Sequence, residues 1–148
     1  MADSIIPLQI VEDRVVLAAV AECRNLRVLH HLIEFVIDTG SKDSFLSEKD
    51  VVKLQVPVMG KPVKGQVDFG GSRFNQVELP EFTLHILDEA KKAIAVKTKL
   101  MAVKTTKTSE DKIQRALALP SILGMDFLKE QGFKLVVVAK EGLARLER

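Results

Sequence analysis

The sequence predicts an all-β domain with one to three short helices. Most apolar segments are short, rich in Val, Ile, Leu, Phe and Thr, and punctuated by Gly, Pro, Asp or Asn. Helical signals are brief, and each is tied to a capping residue. The composition, 47% apolar and 28% charged over 148 residues, is that of a globular chain able to bury one core without disulfide or metal staples. A single domain over residues 1–148 is therefore expected.

Strands are expected at 8–11, 15–21, 32–37, 63–69, 74–87, 93–103, 133–138 and 143–146. The segment 64–79 reads as a long hairpin with Gly70 and Gly71 at its tip. In "SEKDVVKLQVP", Ser47 is an N-cap with Asp50 at the third helical position, and the helix must stop before Pro57. "GMDFLKEQG" is a helix closed by Gly132. "SEDKIQRALAL" is a marginal helix capped by Ser109, with Ile113 and Leu117 at i and i+4. Residues 91–119 combine a mobile basic loop with that helix, and 133–148 form a C-terminal hairpin around Glu141 and Gly142.

Several function classes are disfavoured. Twenty-two basic and 20 acidic residues leave a net charge of +2, too balanced to imply a polyanion, and the lysines of 91–112 alternate with Thr and Ala rather than with aromatic rings. No nucleic-acid partner is expected. Cys23 is the only cysteine, so an internal disulfide or a cysteine-based zinc cluster cannot form. His30, His31 and His85 show no metal-ligand spacing with a carboxylate, so no metal or other cofactor is expected. No signal peptide or apolar span of bilayer length is read, which makes no membrane and a cytoplasmic location the default expectations.

The stretch "EFVIDTGSKDSF" carries the chemistry. Asp38 directly follows a run of strand formers, where an unpaired carboxylate is costly to desolvate. Gly40 permits a tight loop, and the hydroxyls of Thr39 and Ser41 can bond a carboxylate or the turn's own backbone. Alone, Asp-Thr-Gly also fits an Asx-type turn. A second stretch, "PSILGMDFL", reads as a buried strand with Ile122 and Leu123, then a close backbone approach at Gly124 and a short helix.

In their order, Asp-Thr-Gly-Ser early, a Gly-Gly hairpin in the middle and Ile-Leu-Gly-x-Asp-Phe-Leu near the end resemble the retropepsin-like aspartic peptidases, the cellular more than the viral branch. The resemblance implies a closed, mostly antiparallel barrel with a flap hairpin, acting as an aspartic endopeptidase on an extended polypeptide. It implies that Asp38 is catalytic, with Thr39, Gly40 and Ser41 supporting the loop. Phe69, Gly70 and Gly71 belong to the flap and bind substrate, and Ile122, Leu123 and Gly124 pack beneath the loop. From position, Ile37, Phe69 and Leu123 are expected to line substrate pockets.

Peptide hydrolysis by this route needs two aspartates sharing one proton, one accepting from water and the other donating. The chain contains one Asp-Thr-Gly, so a C2 homodimer must bring two copies of Asp38 together. Viral relatives tie their dimers with an acidic residue and an arginine where this chain has Lys42 and Met125. The alternative reading is a peptide-binding or dimerisation module of the same fold with little or no turnover.

Overall fold

The computed structural model describes residues 4–58, 60–69, 72–105, 114 and 116–148, with backbone alone at Phe69, Ser72 and Thr105. The described residues form twelve strands: β1 (Ile5–Val11), β2 (Arg14–Cys23), β3 (Val28–Ile37), β4 (Phe45–Leu46), β5 (Val63–Phe69), β6 (Ser72–Glu78), β7 (Phe82–Leu87), β8 (Ala93–Thr98), β9 (Met101–Thr105), β10 (Ser121–Leu123), β11 (Lys134–Val138) and β12 (Leu143–Glu147). Among the described residues two helices can be given in full, α1 (Glu48–Lys53) and α2 (Met125–Gln131). Among the described residues no helix is long and apolar enough to cross a membrane.

Local chemistry explains most boundaries. Glu12 and Asp13 both take positive φ, 50° and 64°, and so make the two-residue turn whose twist suits a hairpin between β1 and β2. Helix α1 begins where the Ser47 side chain accepts the Asp50 amide at 3.3 Å. Helix α2 ends at Gly132, left-handed at φ 69°. The C-terminal hairpin pairs Val138 with Leu143 and Lys134 with Glu147. Of the marginal helix, 114 and 116–118 are helical, whereas its cap Ser109 and Ile113 lie outside the described residues.

Two expected strands are each divided. The segment 74–87 breaks around Pro80, which cannot donate to a ladder. The segment 93–103 breaks at Lys99 and Leu100 because β8 pairs with β7 whereas β9 leaves to pair with β6 and β4.

The expected closed barrel is not formed. Hydrogen-bonded neighbours run in an open path, β11-β12-β1-β2-β3-β10-β4-β9-β6-β5, with β7 and β8 branching from β2. The physical reason lies in β2: its first residues pair with β1 and its last with β7, so the sheet forks there, while β3 covers the other edge. The path then passes through the very short β10 and β4 and ends at β5, which pairs only with β6 among the described strands. Lys64, Asp68 and a register shift at Gly65 blunt that edge against further pairing.

Two apolar clusters fill the layers. The larger includes Ile6, Leu17, Phe35, Ile37, Phe82, Leu84, Leu123 and Phe127. The smaller gathers Phe45, Phe74, Val103, Ala116 and Ile122. Adjacent residues of β10 thus face opposite ways, Ile122 into one cluster and Leu123 into the other, as strand alternation requires.

Candidate active site

Strand β3 buries Phe35 and Ile37, and Asp38 is the first residue beyond it, half-buried. Parallel pairing sets Ile37 beside Leu123, and the Asp38 amide continues the ladder by donating to the Leu123 carbonyl at 3.0 Å. The chain then turns sharply. The Gly40 amide donates to Asp38 Oδ1 at 2.9 Å, and the Ser41 amide donates to the Asp38 carbonyl at 3.1 Å. One oxygen of the carboxylate is thereby fixed by backbone, which restricts its rotation.

The loop is clipped to the start of α2. The Met125 amide donates to the Ser41 carbonyl at 2.8 Å, and the Asp126 amide to the Lys42 carbonyl at 3.1 Å. Gly124 makes this approach possible: a Cβ there would stand 2.5 Å from the Ser41 carbonyl oxygen and 2.6 Å from that of Asp43. Buried Ser44 completes the clip. Its hydroxyl donates to Asp126 Oδ1 at 2.6 Å and accepts the Gly124 amide at 2.8 Å, while its own amide donates to Asp126 Oδ2 at 3.1 Å. Asp126→Ala removes a charged acceptor from Ser44 and is expected to cost about 2 kcal/mol, measured by urea unfolding, with Asp126→Asn costing less.

A second polar lock holds α1 against the same strand. Ser121 Oγ donates to Asp50 Oδ2 at 2.5 Å and accepts the Ser47 amide at 2.9 Å, with all three residues buried. Burial of the Asp50 carboxylate is compensated by these partners. From the sequence, Ser47 and Asp50 are legible only as a cap. The third member, Ser121, is 71 residues from Asp50, and nothing local announces it.

Beside Asp38 lies a cavity of about 230 Å³ bounded by Gly40, Ser41, Lys42, Phe45, Val67 and Asp68. Val67 and Asp68 belong to β5, so the β5–β6 hairpin stands over the loop. That hairpin is paired as far as Phe69 opposite Ser72, and Gly70 and Gly71 lie outside the described residues. Ile37 and Leu123 are buried in the core and do not line the cavity; Phe45 and Val67 take that place. Thr39 is exposed, and the Ser41 hydroxyl donates to the Asp43 carbonyl at 2.7 Å, so within one chain its proton is not directed at Asp38.

One group of residues was not assembled from the sequence. Glu22, His30 and His85 meet on adjacent strands. The His85 imidazole, and then the Arg24 guanidinium, hold the Glu22 carboxyl below its usual range by hydrogen bonding. The sequence separation of 63 residues between Glu22 and His85 hides the carboxylate from any spacing rule.

No protein-family profile matches the chain, and no curated protein matches it in sequence. Among solved structures it is similar to the crystal structure of a retropepsin-like aspartic protease from Rickettsia conorii, with a TM-score of 0.59 and 18% identity over 95% of this chain and 97% of that one. At that identity the likeness is one of architecture: this chain has the fold of a retropepsin-like aspartic protease.

Proposed function

We propose that the chain is one subunit of a homodimeric aspartic endopeptidase. The observation that carries the reading is Asp38 itself: a carboxylate delivered by a buried strand to the wall of a groove, with one oxygen held by the Gly40 amide at 2.9 Å. An ordinary surface turn would not need the support of Gly124, Ser44 and Asp126 beneath it. Peptide hydrolysis requires a second carboxylate to share the proton, and the chain has one Asp-Thr-Gly, so a two-fold copy supplies it. The cavity of about 230 Å³ is smaller than the ~300–1,000 Å³ of complete ligand sites, as half of a shared cleft would be.

In this reading one Asp38 of the pair accepts a proton from water and the other donates to the scissile amide. An extended substrate strand lies in the cleft, with Thr39, Gly40 and Ser41 supporting the aspartates, Ile122, Leu123 and Gly124 beneath them, and the tip of the β5–β6 hairpin, Phe69, Gly70 and Gly71, closing as a flap. The alternative, a peptide-binding or dimerisation module without turnover, draws support from the Ser41 hydroxyl, which is directed to Asp43.

Incubation with an unfolded protein substrate from acidic to neutral pH separates the two. Fragments should appear, pepstatin should suppress them, and specific activity should rise with protein concentration over the range in which sedimentation detects the dimer. A stable dimer that cleaves nothing supports the binding module, and cleavage by a chain that sediments as a monomer overturns the shared site.

A further inference from the structure

Glu22, His30 and His85 project from three neighbouring strands, β2, β3 and β7, and none of them lines the Asp38 groove. On one side of β2, Val20 pairs with His85 and Glu22 with Thr83, which puts Glu22 and His85 on a diagonal of one sheet face. On the other side the register slips: Ala21 pairs with His31 but Cys23 with Val28, so Leu29 and His30 together oppose Glu22. Such a bulge redirects a side chain. Here His30 Nε2 comes to 3.3 Å from Glu22 Oε2, and His85 Nε2 to 3.1 Å from the same oxygen.

We propose that these three residues bind a zinc-type divalent cation. Their donor atoms lie within 4.8 Å of one another. Ligands at ~2.0–2.1 Å from a tetrahedral ion are ~3.4 Å apart, so the two short separations need only small outward movements. Two imidazoles and one carboxylate suit zinc, whereas calcium and magnesium favour oxygen alone. Binding requires both rings neutral with their protons on Nδ1, so the ion takes the place of the hydrogen bond that His85 Nε2 makes to Glu22 Oε2.

The surroundings fit an ion. Arg24 Nε donates to Glu22 Oε1 at 3.2 Å, which orients the carboxylate and leaves Oε2 for the metal. The His30 side chain is 68% exposed, which gives an ion direct entry from solvent. Three protein ligands leave a fourth position free, and Glu22 and His85 also line a cavity of about 510 Å³ with Arg24, Glu81, Thr83 and Lys97. Arg24 and Lys97 favour an anionic fourth ligand there. The bound ion would cross-link three strands that already share one apolar core.

The test uses the full chain, free of any histidine tag, titrated with Zn²⁺ by calorimetry and with Co²⁺ by visible absorption. One ion per chain is expected, Co²⁺ showing the intense band of a four-coordinate site that Zn²⁺ then erases. His30→Asn, His85→Asn and Glu22→Gln should each weaken binding by at least ~10-fold and remove the rise in melting temperature that Zn²⁺ gives the wild type. Circular dichroism of the metal-free variants confirms that they fold; a variant that does not fold is replaced by the corresponding Ala. His31→Asn and Asp38→Asn should bind as wild type does, which separates this site from the proposed aspartate pair. Absence of binding to wild type, or equal binding by the His30 and His85 variants, overturns the proposal.

Discussion

Asp38→Asn is expected to lower kcat for peptide hydrolysis by at least about 10³-fold while leaving the fold intact. In a two-fold site one substitution changes both carboxylates, so acid and base are lost together. The amide side chain keeps an acceptor for the Gly40 N–H, and the melting temperature should therefore stay close to that of the wild type. Mixing supplies a sharper measurement. Subunits that exchange at random leave roughly a quarter of dimers fully wild type in an equal mixture, so activity should fall well below the half expected from dilution. Activity that simply follows the amount of wild-type chain would sink the shared site, and an active Asp38→Asn dimer would sink the mechanism.

Gly124→Ala is the second large effect. Its φ of −96° is one that any residue adopts, so the demand for glycine comes from neighbouring atoms and not from backbone preference. An added Cβ would sit 2.5 and 2.6 Å from the carbonyl oxygens of Ser41 and Asp43. Both belong to rigid backbone on the Asp38 loop, so the clash must move either that loop or the start of α2. A loss of about 3 kcal/mol or more in urea unfolding is expected, together with loss of activity in the fraction that still folds. Gly132→Ala is the comparison: nothing lies within 4 Å of its Cβ position, but φ is +69°. It should cost about 1–2 kcal/mol through conformation alone and leave kcat unchanged. Equal stability of wild type and Gly124→Ala would refute the account of the close approach.

What the sequence disclosed follows the range of the interactions concerned. Ser47 as a cap, Gly132 as a stop and the C-terminal hairpin at Gly142 are set by neighbours a few residues away, and local rules find them. The division of 93–103 has no glycine or proline to mark it, because it is imposed by β8 and β9 choosing different partners. The open sheet is hidden in the sequence for the same reason, since the fork at β2 depends on which strands share its edge. At the site, the turn after Asp38 is local, but Ser44, Asp126, Ser121 and the Glu22 group are joined across long separations. A histidine's partner on another strand leaves no trace in spacing.

The clip between Ser44 and Gly124 joins positions 80 residues apart. A ribosome adding ~5–20 residues per second needs roughly 4–16 s to make that intervening chain. Until then Asp38 has neither the Leu123 carbonyl nor the support of α2, and β3 lacks its parallel neighbour. Order at the aspartate consequently waits until residues 121–126 have emerged, and the loop stays unsupported while the segments between are still unfolded.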